Sequence, residues 1–88
     1  MKTCVIIPTY NESKDIARLL AEVKKQGLEV IVIDDGSRDN TAGIAKESGA
    51  TVLKNETNQG KGASLIKVFN YALNYGCEAV ITMDGDGQ

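Results

Sequence analysis

The chain has 88 residues, enough for one small domain, because chains of about this length bury roughly 60% of the surface that they expose when unfolded. Its hydrophobic fraction of 42% and charged fraction of 25% are typical of globular domains and exclude a disordered segment. The formal net charge of -2, with scattered Lys and Arg residues, excludes the basic stripe of a nucleic-acid-binding protein. We therefore expect a single domain over residues 1–88.

The first predicted element is a strand at residues 4–7, an apolar run that stops at Pro8. The run is too short for a signal-peptide core or a membrane span, so we expect a cytoplasmic protein. Cys4 lies in this strand. It and Cys77 show no CxxC spacing, and the chain has no His to complete a zinc site. In the cytoplasm we expect both to be reduced core residues, although neighbouring strands would allow a disulfide.

A helix with one apolar face follows the first strand. Its apolar residues recur at i, i+3, i+4 and i+7: Ile16, Leu19, Leu20 and Val23. Gly27 follows as a C-terminal stop. A second strand, at residues 30–33, is rich in Val and Ile without alternation, which is typical of a strand buried on both faces. The next helix is weaker, with Asp39 or Asn40 as its N-cap and Gly49 at its end.

The remaining predicted elements complete an alternating pattern. Residues 51–53 predict a short edge strand, and residues 79–83 a buried one. Between them we expect a helix from about residue 62 to 75 that buries Leu65, Phe69, Ala72 and Leu73. The order βαβαβαβ predicts a Rossmann-like α/β fold, a parallel sheet with helices on both faces. Such sheets bind ligands at the carboxyl ends of their strands.

Polar clusters follow three of the strands, at residues 8–12, 34–37 and 84–88. In the last cluster, alternate residues of an extended segment would point Asp84, Asp86 and Gln88 toward one place. Their oxygens suit Mg²⁺ or Mn²⁺. An acidic, Gly-rich turn is the alternative. The start of an EF-hand is disfavoured because a strand precedes the cluster and Gln88 replaces the third acid.

The second cluster places Asp34 and Asp35 before Gly36 and Ser37. One carboxylate can cap the turn, which leaves the other to accept hydrogen bonds from a nucleobase or ribose. A simple turn followed by an N-cap is the alternative. A response-regulator acid pocket is disfavoured, because its acid pair would follow the first strand.

A Gly-rich loop at residues 58–62 precedes the third helix. Its backbone amides, together with Lys61, are placed to face a phosphate at the helix N-terminus, or they form an ordinary Gly-rich loop. A Walker A loop is excluded, since Asn55 and Gly62 stand where that motif needs Gly and Ser or Thr. No GxGxxG follows the first strand, which disfavours a Rossmann dinucleotide site.

Four stretches in this order resemble the family 2 glycosyltransferases of GT-A fold, in particular the dolichol-phosphate or polyprenyl-phosphate hexosyltransferases. The matching stretches are VIIPTYNE at 5–12, VIVIDDGSRDNT at 30–41, NQGKGAS at 58–64 and DGDGQ at 84–88. The match spans almost the whole chain, and its specificity comes from the four motifs together.

The resemblance implies roles for individual residues. A UDP- or GDP-sugar would be bound by Pro8, Tyr10, Glu12, Asp35, Lys61 and Asp84. The implied ligands of a divalent cation, Mg²⁺ or Mn²⁺, are Asp86 and Gln88. The cation would act as a Lewis acid on the diphosphate, in an inverting transfer of a hexose to a polyprenyl or dolichyl phosphate.

By the same resemblance the chain would be the N-terminal, nucleotide-sugar-binding half of such an enzyme. Family members continue beyond this motif with acceptor-binding segments and a general base. No catalytic base can be named here, and we expect little transferase activity from the chain alone. We also expect the fourth strand to expose an apolar edge and to favour homo-oligomers. The alternative function is a non-catalytic nucleotide-binding or assembly module that acts through this edge.

Overall fold

The computed structural model describes residues 2–83, in which four strands alternate with three helices. The elements are β1 (Thr3–Thr9), α1 (Ile16–Lys24), β2 (Glu29–Asp35), α2 (Thr41–Glu47), β3 (Thr51–Asn55), α3 (Lys61–Tyr75) and β4 (Ala79–Thr82). All strand pairs are parallel, in the order β3-β2-β1-β4. The predicted Rossmann-like α/β fold is confirmed, with β3 and β4 as edge strands.

Side chains of β1 and β2 alternate between two apolar clusters, one on each face of the sheet. The face covered by α1 and α2, called the α1/α2 face below, buries Val5, Ile7, Ile16, Leu20, Val23, Val30, Val32, Ala45 and Ala50. The face covered by α3, called the α3 face, buries Cys4, Ile6, Ile31, Ile33, Val68 and Ala72. As predicted, the two central strands are therefore buried on both sides.

The buried stripe of α3 differs from the predicted one. Ala72 is buried as expected, and Leu65 packs at the edge of the core, but Phe69 is 38% exposed and Leu73 is 73% exposed. The stripe that meets the sheet instead consists of Ser64, Val68 and Ala72. The prediction was wrong because the largest apolar side chains were assumed to face the core, whereas smaller residues spaced four apart let the helix approach the strands closely.

The fourth strand is also less buried than its apolar sequence predicts. Val80 is 37% and Ile81 is 47% exposed. Within the described residues β4 pairs only with β1, and it lies at the edge of the sheet. The continuous apolar run was read as a strand buried on both faces, but position in the sheet decides burial.

The two cysteines form a disulfide, which overturns the expectation of reduced thiols. Cys4 points from β1 toward the α3 face, and Cys77 follows directly after α3 and packs against the same cluster. Their Cα atoms are 5.9 Å apart, within the range that a disulfide requires. The expectation rested on cellular location alone and could not include this proximity.

Candidate functional site

The loops that follow β1 and β2 are joined by hydrogen bonds at the carboxyl ends of these strands. The backbone N–H of Asn11 donates to Ser37 Oγ at 2.8 Å, and the N–H of Arg38 donates back to Asn11 Oδ1 at 2.8 Å. The N–H of Glu12 donates to Thr41 Oγ1 at 2.9 Å. Two of the predicted polar clusters, at residues 8–12 and 34–37, therefore form one continuous surface.

Asp34 lies beneath these joined loops, on the α1/α2 face. Its side chain is fully buried. Oδ1 accepts hydrogen bonds from the hydroxyl of Ser37 and, at 3.5 Å, from that of Thr9. Oδ2 is buried and has no hydrogen-bond partner within residues 2–83. Asp34 thus fixes the turn after β2 at the cost of one unpaired carboxylate oxygen.

Asp35 points to the opposite face and holds the loop that leads into α3. Its Oδ1 accepts from the N–H of Gln59 at 2.7 Å and from Asn55 Nδ2 at 3.0 Å. Its Oδ2 accepts from the N–H of Gly60 at 2.9 Å. Burial raises the pKa of Asp35, but the hydrogen bonds from Gln59, Asn55 and Gly60 outweigh it and hold that pKa below its ordinary value.

The loop after β2 also touches the loop before α3 directly. Gly36 has φ +76°, and a Cβ at this position would lie 2.7 Å from the backbone nitrogen of Asn58. Only glycine combines this backbone conformation with so close an approach. The structure therefore brings three loops together: residues 10–15, 36–40 and 56–60.

The predicted nucleotide-binding residues that the structure describes all lie on these loops or at their junctions with strands and helices. Pro8 is near the end of β1, Tyr10 is 43% exposed in the next loop, and Glu12 is half-buried there. Asp35 ends β2, and Lys61 begins α3 directly after Gly60. Asp84 lies outside the described residues, as do the predicted metal ligands Asp86 and Gln88.

Sequence reasoning did not identify two polar residues that organise this region. Asn55, at the end of β3, and Ser64, in the first turns of α3, are both buried, and Asn55 Nδ2 donates to Ser64 Oγ at 3.0 Å. The sequence pattern leaves open which Asp caps the turn and which accepts from a ligand, and Asp35, which the resemblance implies as a nucleotide-binding residue, accepts three protein hydrogen bonds. A polar residue at the buried end of a strand was the available signal, because strand alternation places Asn55 on the same face as Asp35.

A metal site is not formed by the described residues alone. Residues 2–83 contain no group of three or more Cys, Asp or Glu side chains that converge on one point. In the same range, no helix has the length and hydropathy needed to cross a membrane.

The sequence of this chain matches a known protein family and several of its members. The model of the family "Glycosyl transferase family 2" matches residues 4–88. A curated relative is the UDP-N-acetylglucosamine--dolichyl-phosphate N-acetylglucosaminyltransferase of Methanococcus voltae. It is 31% identical over a gapped alignment of 102 residues, which covers 96% of this chain and 41% of the relative.

Solved structures give the same result. A mannosyltransferase from Pyrobaculum calidifontis, in complex with GDP-Man and Mn²⁺, superposes with a TM-score of 0.79 at 28% identity. The match covers 97% of this chain and 27% of the mannosyltransferase. Glucosyl-3-phosphoglycerate synthase from Mycobacterium tuberculosis, in complex with UDP, gives a TM-score of 0.80 at 27% identity, with coverages of 97% and 34%. The chain spans about a third of the length of the curated relatives that it matches. The four motifs, the sheet order and these matches agree, and the chain belongs to glycosyl transferase family 2.

Proposed function

We propose that this chain binds the nucleotide of a UDP- or GDP-sugar, together with Mg²⁺ or Mn²⁺, as the donor half of a hexosyltransferase. The observation that carries the proposal is the set of three loops joined at the carboxyl ends of β1 and β2, with Asp35 fixing the loop before α3. Ligands of open α/β sheets bind at this edge. The hexose, and a polyprenyl or dolichyl phosphate as its acceptor, are proposed from the relatives, one of which is named for dolichyl phosphate.

The charges of the site suit a nucleoside diphosphate. Gly60 and Lys61 begin a helix of 15 residues, whose N-terminus carries a partial positive charge. Asp35 places its carboxylate on the amides of Gln59 and Gly60, so it orients the loop that leads into this helix. Tyr10 offers an exposed ring on the neighbouring loop. These residues would bind and orient the donor.

A bound cation would neutralise the diphosphate and stabilise the charge that develops on the leaving group. Asp86 and Gln88 are the residues proposed to hold it. Structural neighbours are complexes with Mn²⁺, which supports a divalent ion without choosing between Mg²⁺ and Mn²⁺. No residue is named as the base of the transfer step.

The test is a titration of the chain with UDP and GDP, with and without the diamagnetic ion Mg²⁺, followed by NMR chemical shifts. We expect shifts at Tyr10, Asp35 and Lys61 with one of the two nucleotides, and Mg²⁺-dependent tightening that Asp86→Asn abolishes. Lys61→Met should weaken binding, and Lys46→Met, an equivalent change on the exposed surface of α2, should not. No shifts at millimolar nucleotide with Mg²⁺ present would refute the proposal.

A second candidate function is an assembly module, and the exposure of β4 favours it. Val80 and Ile81 present apolar side chains on an edge strand whose outer backbone groups pair with no other described strand. We expect a homo-oligomer whose mass in light scattering rises with concentration and falls for Ile81→Lys. The matched control is Ile66→Lys on α3, where the native side chain is 67% exposed. A monomer mass at every concentration would exclude this function.

Cytoplasmic location also remains a prediction. The disulfide sharpens its test, because disulfides are rare in reducing compartments. Thiol labelling in denaturant and without reductant, of protein taken directly from its native cells, would show two free thiols in a cytoplasmic protein and none in an oxidising compartment.

A further inference from the structure

The amide of Asn55 is a buried connection between β2, β3 and α3. Its Nδ2 donates to Asp35 Oδ1 and to Ser64 Oγ, both at 3.0 Å. Its Oδ1 accepts from Lys67 Nζ at 2.8 Å. Both amide hydrogens and one acceptor position of this side chain, which is only 7% exposed, are therefore used.

These contacts close a ring around the loop that enters α3. Asp35 accepts from the amides of Gln59 and Gly60. The carbonyl oxygen of Gly60 accepts from the N–H of Ser64 at 3.1 Å, so the loop and Ser64 belong to one helical turn. Asn55 connects both ends of this turn: it bonds to Ser64 directly, and it bonds to Asp35, which holds the amide of Gly60. Asn55 thus bonds both to the carboxylate that holds the loop amides and to the first turn of α3.

We infer that Asn55 is a positioning residue for nucleotide binding: it aligns Asp35 and the first turn of α3 so that the loop at residues 56–60 presents its amides to the ligand. This inference rests on the proposed function. The chemistry of the position is specific, because only a short amide donates two hydrogen bonds here and accepts a third. A carboxylate at residue 55 would lie against that of Asp35, and Ala would leave Asp35 and Ser64 without this partner.

The experiment compares Asn55→Asp and Asn55→Ala with the wild-type chain in two measurements. Amide hydrogen exchange of Gln59 and Gly60 reports the loop without any ligand, and titration with UDP and GDP in Mn²⁺ reports nucleotide affinity. We expect loop exchange to accelerate and the Kd to rise by roughly tenfold each, the effect of losing a hydrogen bond to a buried carboxylate. Exchange in the central strands should not change.

Two further variants calibrate this result. Ser64→Ala removes an acceptor of the Asn55 amide and a hydrogen bond to Asp35, and should give a change in the same direction of up to about tenfold. Asn70→Asp makes the same chemical change as Asn55→Asp at an exposed position of α3, and both measurements should match the wild type.

Two results would overturn the inference. The first is unchanged exchange at Gln59 and Gly60 in folded Asn55 variants. The second is equal acceleration across the whole sheet, which would show a merely structural role. Should neither Asn55 variant fold, Ser64→Ala decides by the same two criteria. If the wild type binds neither nucleotide, the proposed function and the binding role of Asn55 are both refuted. The exchange data then still decide whether Asn55 orders the loop.

Discussion

Asp34 and Asp35 are neighbours in sequence but belong to different faces of the sheet. On the α1/α2 face, Asp34 is fully buried, accepts from the hydroxyls of Thr9 and Ser37, and leaves one oxygen unpaired. On the α3 face, Asp35 accepts from two backbone amides and one side-chain amide. Strand alternation thus divides one acidic pair between two loops. Asp34 fixes the turn after β2, and Asp35 fixes the entry to α3.

The two faces also differ in how their helices are held. Two helices cover the α1/α2 face through a large apolar cluster to which α1 contributes Ile16, Leu20 and Val23. One helix covers the α3 face, with a smaller cluster in which α3 buries Val68 and Ala72 and packs Leu65 and Tyr71 at the edge. The Cys4–Cys77 disulfide and the polar contacts of Asp35 and Asn55 supplement that packing. We therefore expect the loss of a single polar or covalent link to lower the free energy of unfolding more on the α3 face than on the α1/α2 face.

The largest expected effect is loss of the disulfide on the α3 face. The bond spans 73 residues, and a chain-entropy estimate for a loop of this size gives roughly 4 kcal/mol of the free energy of unfolding. Cys77→Ser should lower that free energy by about this amount in urea denaturation. Dithiothreitol should destabilise the wild type similarly and leave Cys77→Ser unchanged. Equal stability of oxidised and reduced wild type would contradict the link.

A smaller effect is expected from opening a cavity in the α1/α2 face. Leu20 is fully buried between α1 and the sheet, so Leu20→Ala should lower the free energy of unfolding by about 3 kcal/mol. The matched control is Leu73→Ala, because Leu73 is a 73% exposed leucine on α3 and its truncation should cost less than about 0.5 kcal/mol. Similar losses for the two variants would refute the assignment of the buried stripe of α3.

Removing the charge of Asp35 should cost about 2 kcal/mol, since an amide cannot accept all three of its hydrogen bonds. The pH dependence follows from its lowered pKa. Stabilisation by the ionised form is fully present above the unfolded pKa of about 3.9 and is lost as pH falls through the lower folded pKa. In urea denaturation the difference between wild type and Asp35→Asn should be constant from pH 7 to 5 and shrink below about pH 4. A difference that grows with acidity would show that burial dominates the pKa.

Much of this architecture was readable in the sequence. Residues 4–7 and 30–33 predicted the central strands, and the polar residues after them predicted which loops meet, because parallel strands end at the same edge. Burial on α3 and β4 was not predictable in this way, because hydropathy does not reveal that Val68 faces the sheet or that β4 lies at its edge. The pairing of Cys4 with Cys77 and the role of Asn55 depend on contacts across 73 and 20 residues. The polar residue at the end of β3 marks Asn55 in the sequence, but no local pattern shows its partners or the pairing of the cysteines.

The smallest effect, and the sharpest test of the contrast between the two acids, is expected from Asp34→Asn. Its Oδ2 has no partner among the described residues, so the substitution removes a buried charge that is only partly compensated. The amide oxygen can still accept from Ser37, and the loss in the free energy of unfolding should be about 1 kcal/mol or less. Exchange of the Asn11 amide, which donates to Ser37 Oγ, would show whether the turn after β2 is kept. A cost equal to that of Asp35→Asn would contradict the contrast between the two acids, because it would show that the charge of Asp34 stabilises the fold as strongly as that of Asp35.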